Sequence, residues 1–274
     1  MAFHLFNPCC GYGDNAPMIE ALDLVKRFGS TRAVDGISFT AGTGEVVALL
    51  GPNGAGKSTT MRMLAGCLEP DSGVARIAGS DAVRERRSAQ TALGYLPEGA
   101  PAYPAMTPRA FARFHLRVRG FTGTALTEAA ERALERTRMG EAASRPIGML
   151  SKGFKRRAAL AAAIAHDPQV LILDEPTDGL DPNQKDGVRA LIREMAAEKT
   201  ILISTHLLEE VESVCSRAIV ITGGRIVSDD TPAAIIRSAP EPSLASAFRM
   251  LTGHSAEQAT IKPRKAKKAR EGAE

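Results

Sequence analysis

Large aromatic side chains are scarce in this chain of 274 residues, which has no Trp and only three Tyr. We therefore expect a core built mainly from Ala, Leu, Ile, Val and Met. Apolar residues make up 44% of the sequence and charged residues 24%, which is ordinary for a soluble globular protein. The length suits one large α/β domain, or such a domain with a small additional subdomain.

Membrane-spanning and disulfide-forming features are also missing from the sequence. No apolar run approaches the ~20 residues that a helix needs to cross a bilayer, and the first residues lack the basic and apolar regions of a signal peptide. The four cysteines have neither metal-site spacing nor a disulfide framework; they are Cys9, Cys10, Cys67 and Cys215. We expect reduced thiols in a cytosolic protein, which would serve any membrane from the aqueous side.

Basic charge is concentrated at the C-terminus. Residues 261–274 contain six basic and two acidic residues, which accounts for the whole net charge of +4. The remainder of the chain is about neutral, so its charge does not indicate nucleic-acid binding. We expect residues 254–274 to form a disordered basic tail, either as a solubilising segment or as one attracted to anionic lipid headgroups.

The domain organisation follows from the apolar patterning. Residues 1–17 show no sustained periodicity, which predicts an irregular extension, and Met18 is a second candidate for the translation start. The apolar pattern over residues 18–253 predicts one domain. Helical spacing over 107–140, interrupted near a pair of glycines, predicts two helices within a helical subdomain at about 99–152.

Strands are indicated by two kinds of pattern. Apolar and polar residues roughly alternate over 18–28 and again over 37–39, which predicts half-exposed strands of an antiparallel sheet. Unbroken apolar runs predict buried parallel strands at 46–50 and 170–173, and a further strand is expected at 200–204. We further expect a helix at about 154–165, a helix after Pro182 and a hairpin over 218–227.

The strongest chemical signal is a loop between the first buried strand and a helix. It consists of Gly51, Pro52, Asn53, Gly54, Ala55, Gly56, Lys57, Ser58 and Thr59. This order matches the phosphate-binding pattern G-x-x-x-x-G-K-[ST] in the context that the pattern requires. The loop amides and the helix N-terminus would surround phosphates, Lys57 would reach the β- and γ-phosphates, and Ser58 would offer its hydroxyl to Mg²⁺.

A second signal is an acidic pair that directly follows the buried strand 170–173. Asp174 ends the strand, where a carboxylate has a clear purpose if it approaches Mg²⁺ directly or through water. Glu175 follows it and could orient or deprotonate the attacking water. After a phosphate loop, this pair predicts metal-assisted nucleotide hydrolysis.

The segment Leu150-Ser151-Lys152-Gly153-Phe154 resembles the signature motif of the ATP-binding-cassette (ABC) superfamily. From the residues alone, Ser151 can cap the following helix. The resemblance implies an ATPase in which Ser151 and Gly153 meet the γ-phosphate of ATP bound to a second copy of the chain.

Further positions fit the same resemblance. Phe28 resembles the aromatic residue that stacks on adenine. The segment 179–182, which contains Asp181, resembles the loop that couples the two sites of a dimer. His206, after the strand 200–204, resembles the switch histidine that contacts the γ-phosphate.

Three residues depart from the usual family pattern. Lys152 replaces the second glycine of the signature, and Phe154 replaces its glutamine. Glu98 replaces a glutamine; its carboxylate could still face Mg²⁺ or a bound water at the ATP site. With these substitutions, the segments 95–98, 150–153 and 178–184 resemble the ATPases of two-component ABC-2-type exporters, most closely the gliding-motility-associated branch.

The resemblance implies an α/β fold with a P-loop NTPase core, an antiparallel β subdomain and a helical subdomain. It also implies ATP and Mg²⁺ as ligands, with Ser58, Asp174 and Glu98 toward the metal. The expected partners are a second copy of the chain and an ABC-2-type permease, which would hold the chain at the cytoplasmic face of the inner membrane. The permease would determine the cargo.

Two other functions stay open at this point. One is an ABC ATPase for uptake, served by a solute-binding protein. The other is a soluble ABC ATPase that acts on the ribosome or on DNA. The single phosphate loop and the short interval between Ser58 and Asp174 favour transport over the second of these.

Overall fold

The computed structural model describes residues 16–253. Predictions for the extension at 1–15, for Cys9 and Cys10, and for the basic tail at 254–274 lie outside these residues. The fold is mixed α/β with two sheets, as the sequence predicts. The domain limits proposed from patterning stay predictions.

The strands within residues 16–253 are numbered in chain order. They are β1 (Ile19–Phe28), β2 (Thr31–Ala41), β3 (Val46–Leu50), β4 (Ser72–Ile77), β5 (Ser80–Asp81), β6 (Leu93–Leu96), β7 (Val170–Asp174), β8 (Thr200–Ser204), β9 (Arg217–Thr222) and β10 (Arg225–Asp230). The strands predicted at 46–50, 170–173 and 200–204 match β3, β7 and β8, and the predicted hairpin matches β9 and β10. The sequence patterns did not indicate β4, β5 and β6.

The helices of the same residues are numbered likewise. They are α1 (Lys57–Leu64), α2 (Arg86–Ala92), α3 (Pro108–Val118), α4 (Gly123–Arg136), α5 (Lys152–Ile164), α6 (Pro182–Ala196), α7 (Leu208–Val214), α8 (Pro232–Arg237) and α9 (Leu244–Thr252). The two helices predicted within 107–140 are α3 and α4. The helix predicted from about 154 begins at Lys152, because Ser151 caps it.

The two sheets differ in strand direction. One is antiparallel, with strand order β2-β1-β4-β5. The other has the order β10-β9-β3-β8-β7-β6, in which all neighbouring strands are parallel except the hairpin at β10. The second sheet is therefore the frame that can bring distant chain segments to one edge.

Two apolar cores explain why β3 is an unbroken apolar run. Val46, Ala48 and Leu50 belong to the core shared with the helices. Val47 and Leu49 belong to the core shared with the antiparallel sheet. Because successive side chains of a strand point to opposite faces, a strand buried on both faces has no position for a polar residue.

The helices α3, α4 and α5 pack against one another beside the larger sheet. We call these three helices the helical layer. Its α5 also contacts β6, so the layer is joined directly to the sheet. Within residues 16–253, none of the helices has the length and apolarity to traverse a bilayer.

Candidate active site

The carboxyl ends of β3, β7 and β8 lie side by side. The strand β8 pairs in parallel with both others, and Asp174 is in register with Ser204. A predicted site segment follows each strand at this end. The sheet thereby brings Ser58 within 3.4 Å of Asp174, although 116 positions separate them. Such an edge is where open parallel sheets bind ligands.

The predicted phosphate loop connects β3 to α1 with no side-chain cap on the helix. Its last glycine, Gly56, has φ of 106°, a conformation that side chains with a Cβ rarely adopt. A Cβ at Gly56 would also lie 2.4 Å from the carbonyl oxygen of Ala33. The loop is thus shaped by close backbone contacts, and the uncapped α1 N-terminus is available to an anion.

Lys57 is folded back across this loop. Its Nζ donates to the carbonyl oxygens of Gly51 at 2.7 Å and Pro52 at 3.1 Å. The side chain is only 7% exposed. Burial lowers the pKa of Lys57 from its ordinary value, and three nearby carboxylates oppose that shift. Among the residues that the structure describes, this buried ammonium is held only by carbonyl groups, so it is well suited to receive a phosphate oxygen.

Asp174 is 1% exposed and has one satisfied carboxylate oxygen. Its Oδ1 accepts hydrogen bonds from the hydroxyls of Ser204 and Ser58. Its Oδ2 is buried and has no hydrogen-bond partner among the described residues. Buried carboxylate oxygens are seldom left without a partner. The unpaired Oδ2, beside the Ser58 hydroxyl, fits the oxygen ligands that Mg²⁺ prefers.

Glu175 lies where the chain leaves β7, in a left-handed conformation with φ of 50°. Its backbone N–H donates to the hydroxyl of Ser204 at 3.0 Å and to the carbonyl of Ser204 at 3.1 Å. Its Oε1 lies 3.1 Å from Nδ1 of His206. The structure therefore brings together the two side chains that the sequence predicted as catalytic.

The signature-like segment faces the turn between β7 and α6. The Ser151 hydroxyl accepts from the Phe154 N–H, and Lys152 Nζ forms an ion pair with Asp178 at 2.8 Å. A Cβ at Gly153 would lie 2.2 Å from Oε1 of Gln184. Within residues 16–253, no hydrogen bond joins Ser151 or Gly153 to the phosphate loop of the same chain.

Comparison with known proteins decides the family. A family model described as ABC transporter matches residues 34–178, more than half of the chain. This chain belongs to the ABC transporter family. It is an ATP-binding subunit of that family and an ATPase.

Three relatives illustrate the similarity. The Nod factor export ATP-binding protein I of Burkholderia lata is 40% identical over 221 residues, which cover 80% of this chain and 73% of that protein. A probable multidrug ABC transporter ATP-binding protein of Escherichia coli is 37% identical over 240 residues, 85% of this chain and 41% of that protein. A solved ATP-binding subunit of an ABC transporter has a TM-score of 0.78 at 28% identity, covering 85% of this chain and 99% of its own.

Three other predicted residues of this ABC ATPase form no hydrogen bond with the acidic pair among the described residues. Phe28, at the end of β1, is 52% exposed. Glu98 follows β6 and is exposed, and its charge acts on Lys57. Asp181 caps α6, since its Oδ1 accepts from the N–H of Gln184 at 3.0 Å. Their roles toward ATP stay predictions.

The sequence patterns did not indicate three buried polar residues around the acidic pair. Ser204 ends the apolar strand β8 as Asp174 ends β7, and that shared position is the signal that would have found it. Glu210 of α7 is hydrogen-bonded to Thr177, and burial raises the pKa of this carboxyl. Arg156 is one of four basic residues in α5, a helix rich in alanine, and only the packing shows where it points.

Proposed function

We propose that this chain is the ATPase of an exporter and drives a separate ABC-2-type permease. The carrying observation is its 40% identity, over 80% of the chain, to a protein named for Nod factor export. The segments that resemble ABC-2-type exporters, and the gliding-motility-associated branch in particular, support the same proposal. In this proposal the chain binds the cytoplasmic face of the inner membrane through its permease.

The proposed working form contains two copies that enclose two ATP molecules. Each site takes its phosphate loop from one copy and Ser151 with Gly153 from the other. The exposed position of Ser151 at the start of α5 supports this arrangement, because a second molecule can reach it. ATP would therefore hold the two copies together, and its hydrolysis would release them.

The proposed hydrolysis uses the residues at the carboxyl edge of the sheet. The loop amides and Lys57 bind the phosphates, and Glu175 with His206 orients the attacking water and accepts its proton. Bound Mg²⁺, held by Ser58 and Asp174 with Glu98 nearby, would neutralise charge on the phosphate oxygens. His206 Nδ1 keeps the Glu175 carboxylate in place, since the two atoms are 3.1 Å apart.

We propose that the permease docks on the surface around Glu98 and the helices α3 and α4 of the helical layer. Exposed apolar side chains support this location: Met149 is 73% exposed, and the half-exposed rings of Tyr103 and Phe114 contact each other. Arg117 of α3 is exposed on the same layer. A surface with aromatic residues and Met is typical of a protein interface.

Affinity purification from membranes tests the proposed function. The tagged Glu175→Gln chain, which should stay bound to ATP, is purified from detergent-solubilised membranes, and co-purified chains are identified by mass spectrometry. We expect a permease of the ABC-2 type that stimulates ATP hydrolysis by the wild-type chain after reconstitution. A permease that works with a solute-binding protein, or ribosomes or DNA in its place, would contradict the proposal.

A further inference from the structure

Arg156 is a charged side chain buried in the middle of the molecule. It lies on α5 and is only 3% exposed. Within residues 16–253 it forms no ion pair, and its Nε has no hydrogen-bond partner. Burying a guanidinium without a carboxylate partner is costly. Its contacts therefore call for an explanation beyond the packing of α5.

The contacts of Arg156 are to the backbone of the acidic pair. Its Nη2 donates to the carbonyl oxygen of Asp174 at 2.9 Å and also to the carbonyl oxygen of Glu175. The Glu175 carbonyl accepts a second hydrogen bond, from the N–H of Asp178 at 3.1 Å. On the other side, the Glu175 N–H donates to Ser204 of β8. The peptide groups of Glu175 are thus held from α5 and from β8 together.

Glu175 needs such support, because its φ of 50° is unfavourable for a residue with a side chain. A left-handed conformation is unfavourable for a non-glycine residue and persists only where the surroundings impose it. Hydrogen bonds from a charged donor are among the stronger ones. Without Arg156, the turn can relax and carry the Glu175 carboxylate away from its place beside His206.

We propose that Arg156 is a positioning residue that sets the direction of the Glu175 carboxylate and links it to the helical layer. The proposal rests on the catalytic role proposed above for Glu175. The link to the layer follows from the packing, since α5 lies against α3 and α4. A small tilt of α5 would shift the guanidinium and, with it, the two carbonyl groups that it holds. The helical layer would in this way control the catalytic carboxylate.

The test compares Arg156→Met with Arg157→Gln in the full chain. Arg157 is the neighbouring basic residue of α5, and it contacts the Arg138 carbonyl and the Phe154 ring, away from the acidic pair. We expect Arg156→Met to lower kcat by about 10²-fold, because displacing a catalytic group by about 1 Å has an effect of this order. ATP affinity should stay within about threefold of wild type. Arg157→Gln should keep kcat near the wild-type value.

Two further variants separate positioning from a purely structural role. Arg156→Lys keeps the charge with a different donor geometry, so we expect it to restore part of kcat. In a Glu175→Gln chain, Arg156→Met should cause no additional loss beyond about threefold, because both changes act on one group. If Arg156→Met does not fold, Arg156→Lys replaces it, with an expected loss of about tenfold in kcat that is absent in the Glu175→Gln chain.

Three results would overturn the proposal. They are a kcat of Arg156→Met no lower than that of Arg157→Gln, losses that multiply in the double variant, and a loss confined to ATP affinity. Failure of the underlying function is distinguishable from these. If Glu175→Gln alone turned over at a near-normal rate, the catalytic role of Glu175 would be wrong, whatever Arg156 does.

Discussion

Buried basic side chains have different partners at the two ends of the parallel strands β3, β7 and β8. At the carboxyl end, Lys57 and Arg156 are 7% and 3% exposed, and within the described residues both donate only to backbone carbonyls. At the amino end, Lys199 is 8% exposed, but it pairs with Asp167 at 2.7 Å and also donates to the Pro168 carbonyl. The three side chains are similarly buried, but among the described residues only Lys199, at the amino end, has a carboxylate partner.

The difference separates groups kept for stability from groups kept for chemistry. Within residues 16–253, buried acidic and basic side chains with an unpaired atom lie at the carboxyl end, namely Asp174 (Oδ2), Arg156 (Nε) and Glu210 (Oε2), whereas Nδ1 of His166, unpaired at the amino end, belongs to a ring whose pKa burial lowers to about 3. Unpaired buried polar atoms lower the stability of a fold, so their presence here indicates a function. We therefore expect changes at the carboxyl end to impair catalysis, and changes at the amino end to impair stability.

The largest expected effect is on Glu175. Glu175→Gln keeps the size of the side chain but removes its basic oxygen, so kcat should fall by about 10²–10⁴-fold. ATP should still bind, because Lys57 and Ser58 are intact, and gel filtration with MgATP should show an ATP-bound dimer. Glu212→Gln, at an exposed carboxylate of α7, is the matched control. Near-normal turnover would make His206 the next candidate for the base.

The next effect is on nucleotide affinity. Lys57→Ala removes the ammonium that we expect to contact the β- and γ-phosphates. A charged hydrogen bond is worth about 1.5–3 kcal/mol, so the affinity for ATP should fall by roughly 10–100-fold. The free energy of unfolding without nucleotide should stay near that of wild type, since Lys57 has no carboxylate partner within residues 16–253 to lose. A clear loss of stability with unchanged ATP affinity would contradict the comparison.

A third prediction uses His166 at the amino end. Its Nε2 lies 3.1 Å from the Leu93 carbonyl, and burial lowers the pKa of this histidine to about 3. Protonation of His166 is therefore less favourable in the folded state than in the unfolded state. The free energy of unfolding is highest above the ordinary pKa of 6.5 and decreases as the pH falls below it. The free energy of unfolding should decrease by about 1 kcal/mol per pH unit between about pH 6 and 4.

His166→Gln is the comparison variant for that measurement, because its amide can still donate to the Leu93 carbonyl. Its unfolding free energy should depend less on pH over the same range, as measured by urea titrations at several pH values. Identical pH dependence in the two proteins would show that His166 does not contribute.

The smallest expected effect is on Lys199. Lys199→Met removes the ion pair with Asp167 and leaves the Pro168 carbonyl without this donor. Asp167 is largely exposed, so solvent weakens the pair, and the free energy of unfolding should fall by only about 1 kcal/mol. The value of kcat should not change. A strong loss of ATPase activity in a folded Lys199→Met protein would break the contrast between the two ends.

Local pattern was a reliable guide wherever short-range physics decides the structure. The run 46–50 predicted β3 because a strand buried on both faces must be apolar throughout. The phosphate loop was evident because glycines and a lysine at fixed spacing serve one chemistry. The strands β4 to β6 were missed, because the sequence of β4 has no clear apolar–polar alternation and because β5 and β6, with two and four residues, are too short to show a pattern.

The sequence by itself determined the phosphate loop, the acidic pair and the α/β class, because each is written in contiguous residues. Only the tertiary structure decided which distant groups meet those residues. Parallel pairing placed Ser204 beside Asp174, and helix packing brought Arg156 to the Glu175 carbonyl. Such contacts depend on how elements pack across the whole chain, and a residue type such as serine or arginine carries no local sign of its eventual partner.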